Sequence, residues 1–115
     1  DFAWFRLAEV YLIKAEAELA GGTGSSTPLA LLRLVRARAF TGADTLSAVT
    51  MDVILRERLF ELNSEGKRRQ DLIRHGKYTQ AWEFKAGPTP DNRVLMPIPQ
   101  TQIDANALIT QNPGY

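Results

Sequence analysis

Residues 3–20 read AWFRLAEVYLIKAEAELA, and their spacing decides the fold. Phe5, Ala8, Leu12, Ala15 and Leu19 recur at intervals of three and four, which places them in one apolar stripe of an α-helix. Gly21 and Gly22 end that helix, because glycine tolerates the left-handed conformation past a helix C-terminus. The polar run GGTGSST at 21–27 reads as a loop. A second helix is expected from Thr27 to Ala39, with Pro28 in the first turn, where its missing N–H is not needed. Leu32, Val35 and Ala39 share one of its faces, and Phe40 to Asp44 form a connection. A third helix is expected over 50–64, capped by Thr50 or Ser47, with Met51, Ile54, Leu55, Leu59 and Leu62 as its stripe. A fourth covers 67–75, bounded by Gly66 and Gly76.

Two helix–loop–helix units in succession suggest an all-α, TPR-like arrangement of antiparallel helix pairs. Trp4-x2-Leu7-Ala8-x2-Tyr11 fits the first half of the tetratricopeptide pattern, and Ala30-x3-Leu34-x2-Ala37 fits the second. Small residues in such a pattern let two helices approach closely. The next unit fits poorly, since Leu55-x2-Arg58-Leu59-x2-Leu62 puts arginine where leucine belongs. From Gly87 the character changes. Pro88, Pro90, Pro97, Pro99 and Pro113 predict an irregular tail over 87–115, extended or turn-like. Val94, Leu95, Met96, Ile98, Ile103 and Leu108 give it enough apolar surface to wrap over the helices.

The chain has 115 residues, 14 Lys+Arg, 13 Asp+Glu and no cysteine. That length predicts one domain, a single TPR-like domain over 1–115. A net charge of +1 gives no general pull toward nucleic acid or anionic lipid. Without cysteine there is no disulfide framework, thiolate zinc site or thiol nucleophile. No signal peptide and no membrane-spanning run is visible. The helix pattern begins at once after Asp1, which reads as part of a longer chain.

The densest charge lies in ERLFELNSEGKRRQDLIRHGK, residues 57–77. Glu57, Glu61 and Glu65 are four apart, so a continuous helix would stack three like charges on one face. Paired carboxylates suit acid–base work or metal binding. An ion-pair network joining the third and fourth helices, with Arg58, Arg68, Arg69 and Arg74 as cations, explains them better, because nothing distinguishes the environment of one carboxyl from another. His75 is the only histidine and has no partner spacing for a metal site or a triad. No catalytic residue, metal or cofactor is therefore expected. Trp4, Phe5 and Tyr11 read as core. Tyr78 and Trp82 lie in a polar, less regular stretch and are the weak candidates for ligand contact, although Trp82 covering the tail is the stronger reading.

Five segments together carry a resemblance: RLAEVYLIKAEAEL (6–19), LVRARA (34–39), ERLFELNSEGKRRQDLIRHG (57–76), MPIP (96–99) and IDANALITQNPGY (103–115). They resemble, in order, the C-terminal part of the SusD/RagB family of nutrient-capturing lipoproteins. The family pattern through the third and fourth helices is kept at Glu57, Arg58, Glu61, Leu62, Glu65, Gly66, Arg68, Asp71 and Leu72. It is departed from at Leu59, Arg69 and Ala107. The resemblance implies a TPR-like scaffold at the cell surface, held to the outer membrane by an N-terminal lipidated cysteine upstream of this segment. It implies a SusC-like TonB-dependent transporter as partner, a glycan or peptide as ligand, and no enzymatic activity. It also implies structural roles for Glu57, Arg58, Glu61, Glu65, Arg68 and Asp71, and a C-terminus pinned by residues 111–115. The alternative is a TPR-like scaffold that binds a protein partner and no nutrient.

Overall fold

A computed structural model describes residues 4–42 and 44–115. Ala3, the first residue of the helix expected over 3–20, lies outside the described residues, as does Ala43 of the 40–44 connection. The helices are α1 (Leu7–Leu19), α2 (Pro28–Arg36), α3 (Met51–Glu61), α4 (Arg68–Arg74) and α5 (Gln100–Ala105), with a 3-10 turn at Asp91–Val94. The described residues contain no strand. None of these helices is long and apolar enough to cross a membrane. The chain divides into two compact units, Asp1–Arg68 and Arg69–Tyr115.

The first unit is built on α1, which packs most extensively against α2 and then against α3. Its core consists of Leu12 and Ala15 from α1, Leu31, Leu32 and Val35 from α2, and Ile54 from α3. Ala8, Tyr11, Leu19, Leu46, Val49 and Val53 pack around that cluster. Full burial of a leucine or isoleucine side chain contributes about 1.5–3 kcal/mol, so Leu12, Leu32 and Ile54 dominate the apolar term. The helix starts follow local chemistry. Thr27 accepts from the Ala30 amide at 3.2 Å and Thr50 from the Val53 amide at 3.2 Å, each satisfying an otherwise orphaned donor. Thr50, rather than Ser47, is therefore the cap of α3. Gly21 adopts φ +106° past α1, and a Cβ on Gly22 would lie 2.9 Å from the Ala17 carbonyl oxygen.

Five expectations about this unit are corrected. Trp4 and Phe5 are not core: they are 74% and 87% exposed. The helix begins only at Leu7, because Arg6 is extended (φ −126°, ψ 144°) with its guanidinium drawn to Glu61 and Glu65. The half-motif Ala30–Leu34–Ala37 lies on the exposed side of the α2 region, and Leu31, Leu32 and Val35 make the packing instead. α2 also stops at Arg36, short of Ala39, where the Ala39 and Phe40 amides both turn back to the Arg36 carbonyl. α3 stops at Glu61, before a turn that places Ser64 and Gly66 at positive φ.

The second unit is held differently. Past α4, the Lys77 and Tyr78 amides donate to the Leu72 carbonyl at 2.8 and 3.1 Å. The stretch 78–84 forms turns. The tail, expected to be irregular, contains two short helical segments. Each follows a proline, Pro90 before the 3-10 turn and Pro99 before α5. A proline directly ahead of a first turn removes no helical donor, so it starts such segments rather than preventing them. Side-chain amides then tie the end of the chain. The Gln111 amide nitrogen donates to the Ile98 carbonyl and its oxygen accepts from the Ile98 amide, at 2.9 and 2.8 Å. Asn112 donates to the Met96 carbonyl at 2.7 Å and the Tyr115 hydroxyl to the Leu95 carbonyl at 2.9 Å. Asn92 donates to the Gly114 carbonyl at 2.9 Å, and a Cβ on Gly114 would come within 2.8 Å of that same amide.

Candidate functional site

The acidic residues of α3 form the strongest polar constellation. Glu57 is buried and takes the Arg36 guanidinium at 2.6 Å. Glu61 takes Arg6 at 2.7 Å on one oxygen and Arg38 at 2.6 Å on the other. Arg6 also reaches Glu65 at 2.6 Å and donates to the Glu61 carbonyl at 3.1 Å. Glu65 lies beyond the end of α3, so the three acids do not share one continuous helix. Arg6 gathers the last two across the turn.

Their cations come from the start of α1 and from the α2 region. Arg36 additionally pairs with Asp44 at 3.0 Å, and its guanidinium lies 4.3 Å from the Phe40 ring centroid. The hydrogen bond to Asp44, with Glu57 beside it, holds the Arg36 guanidinium above the ordinary arginine range. Arg6 is raised likewise, chiefly by its hydrogen bond to Glu61. Asp44 is held below the usual carboxylate range, first by Arg36 and then by the Leu46 amide. Charge-assisted bonds of this kind are about twice as strong as neutral ones. The arrangement is a cross-brace through α1, α2 and α3.

The other network residues sit nearby in sequence but in different surroundings. Arg58 is buried, with a nitrogen 3.7 Å from Glu9, and Lys67 reaches the same carboxylate at 3.2 Å. Arg68 donates to the Leu55 carbonyl at 2.8 Å. In the second unit, Asp71 is buried and accepts from Arg74 at 3.1 Å. The described residues contain no group of three or more His, Cys, Asp or Glu that could hold a metal ion.

Tyr78 and Trp82 both lie in the second unit, Trp82 on a loop closed by the Thr89 amide, which donates to the Thr79 carbonyl at 2.9 Å, and Tyr78 immediately before that loop. Tyr78 is half-buried, with the Arg69 guanidinium 5.0 Å from its ring centroid. Trp82 is 47% exposed, and the Lys85 ammonium lies 3.9 Å from its ring centroid. The expected cations Arg58, Arg68, Arg69 and Arg74 are not the partners of Glu57, Glu61 and Glu65: sequence reasoning missed Arg6, Arg36 and Arg38 as those partners, Asp44 as a further member of the cross-brace, and Phe84 and Lys85 as members of the loop. Arg36 and Arg38 lie 21 and 23 residues from the glutamates they meet, so no local spacing pairs them.

Known proteins place this geometry in context. The SusD family model matches residues 1–115. The chain is 35% identical to the starch-binding protein SusD of Bacteroides thetaiotaomicron, matching across 100% of its own length and 22% of that protein. It superimposes on surface glycan-binding protein A of Bacteroides thetaiotaomicron with a TM-score of 0.80 and 34% identity, covering 97% of this chain and 24% of that one. The same protein in complex with laminarihexaose gives a TM-score of 0.79 at 34% identity, over 96% of this chain and 24% of the other. The chain therefore spans under a quarter of the length of these relatives. With a family match over every residue and a shared TPR-like helical fold, the chain belongs to the SusD family.

Proposed function

We propose that the protein captures glycans noncovalently at the bacterial cell surface and delivers them to a SusC-like TonB-dependent transporter in the outer membrane. An N-terminal lipid anchor would hold it there, and its work is binding without catalysis. The observation that carries this reading is agreement along the whole chain with two proteins named for binding starch and surface glycan. In this reading the cross-brace of Arg6, Arg36 and Arg38 with Glu57, Glu61 and Glu65 keeps α1, α2 and α3 in register as scaffold. Isothermal titration of the full-length protein with maltohexaose and laminarihexaose tests capture, and co-purification from outer membranes tests the transporter. Binding to neither sugar, with no transporter recovered, would sink the proposal.

A second reading draws on α1 itself. Leu7, Val10 and Ile13 are all exposed on it, an apolar surface of the kind that marks protein contacts. On that reading the scaffold binds a protein partner and no nutrient. The same titrations separate the two.

A further inference from the structure

The turn Trp82–Lys85 is shaped in a way its folding does not require. The Lys85 amide donates to the Trp82 carbonyl at 3.0 Å, which closes a four-residue β-turn. The third position of that turn is Phe84, at φ +65°. Turns with positive φ there favour glycine, and a bulky side chain in the left-handed region is strained. The ring of Phe84 is 100% exposed, so packing within this chain does not offset the strain. Backbone strain that buys no packing is characteristic of functional loops.

The same loop is stapled from behind. The Lys85 ammonium donates to the Tyr78 carbonyl at 3.3 Å and to the Gln80 carbonyl at 2.7 Å, while lying against the Trp82 ring. The loop is therefore held in shape while Trp82, Glu83 and Phe84 face outward, all exposed. Along the chain, Glu83 stands between the two aromatic residues, and all three are exposed. The negative face of an aromatic ring attracts the weakly positive C–H hydrogens on the apolar face of a pyranose. An exposed carboxylate such as that of Glu83 can accept from two sugar hydroxyls. A protein interface buries about 800 Å² on each partner, far more than one turn tip offers, whereas a hexose matches it in size.

From this we infer that Trp82, Glu83 and Phe84 form a hexose-stacking subsite, with Lys85 as the positioning residue. The inference rests on the glycan-capture reading and assigns part of the contact to this loop. The test is isothermal titration of the full-length protein with laminarihexaose and maltohexaose, alongside its melting temperature. Trp82→Ala and Phe84→Ala each weaken binding of the preferred sugar by about tenfold, and Glu83→Gln by about threefold. Phe84→Gly weakens it as much as Phe84→Ala and leaves the melting temperature unchanged, since glycine suits the positive φ. If the wild-type protein binds neither sugar, the capture reading falls and this subsite with it. If the wild type binds and the ring variants bind equally well, capture stands and the subsite is overturned. A loss that appears only with a fall in melting temperature, in Phe84→Gly as well, also overturns it, because Phe84 is then covered by other polypeptide.

Discussion

The two compact units solve the same problem by different means. The first encloses an apolar cluster in which Leu12, Leu32 and Ile54 are fully buried, and it surrounds that cluster with long-range ion pairs. In the second, Asp71 is the one buried residue among those described. Its order comes from proline-initiated turns and from side chains bonded to backbone carbonyls. Apolar burial is proportional to area and indifferent to direction, so it tolerates moderate shifts. Hydrogen bonds of Gln111, Asn112 and Tyr115 require stated atoms at stated places and fix an irregular path that no hydrophobic pattern could specify.

The difference is broken most severely by attacking the first unit's core. Leu32→Ala removes a fully buried side chain where α1, α2 and α3 meet, and the cavity adds to the lost transfer energy. The expected cost is about 4 kcal/mol, read by denaturant unfolding. A cost under about 1 kcal/mol would show that the cluster can collapse onto the gap. Next comes the cross-brace. Glu57→Ala leaves the Arg36 guanidinium, largely buried, without one of its two carboxylates. Removing one partner of a buried pair costs about 3–5 kcal/mol, and the remaining Asp44 keeps this case near about 3 kcal/mol. Reversal of most of that loss in the double variant Glu57→Ala with Arg36→Met would confirm that the cost is the stranded charge.

The second unit responds to a polar deletion instead. Gln111→Ala removes both bonds to Ile98 and the bond its oxygen accepts from the Asn112 amide. At about 1 kcal/mol per net hydrogen bond, with partial replacement by water, a loss of about 2 kcal/mol is expected. Hydrogen exchange sharpens the contrast: the Ile98 amide loses protection in Gln111→Ala while the amides of α1 keep theirs. Loss of protection in both would mean that the units unfold as one.

The sequence was most legible where apolar spacing and glycine agreed. α1, α2, α3 and α4 all appear, and Gly21 and Gly76 mark ends at positive φ. Helical spacing says nothing about where the first turn begins, however. Trp4 and Phe5 continued the pattern of α1, yet Arg6 is pulled out by Glu61 at the end of α3 and Glu65 in the turn beyond it. α5 was hidden because prolines were counted as breakers and not as starters. The stacked glutamates announced that cations must meet them. Which cations was illegible, since the pairs Arg6–Glu61, Arg36–Glu57 and Arg38–Glu61 are 55, 21 and 23 residues apart. Aromatic character in a polar, less regular stretch singled out Tyr78 and Trp82, whereas the positive φ that singles out Phe84 is visible only in the folded backbone.

The smallest expected effect is a pH dependence confined to the first unit. Asp44 accepts from the Arg36 guanidinium and from the Leu46 amide, with Arg33 adding to the positive field, and its carboxyl is held below the usual range. A group whose folded-state pKa is depressed binds fewer protons folded than unfolded. Its stabilisation is therefore complete above the ordinary aspartate value of 3.8 and disappears as pH falls through the lower, folded value. Arg36 is shifted upward and stays charged throughout, so the acid limb belongs to the carboxylate. Asp44→Asn should lower the melting temperature slightly at pH 7, and the gap to wild type should close as the pH drops below the ordinary aspartate range. A gap that stays constant to pH 2 would mean that Asp44 acts through its hydrogen bond to the Leu46 amide, which asparagine preserves only in part, and not through its charge.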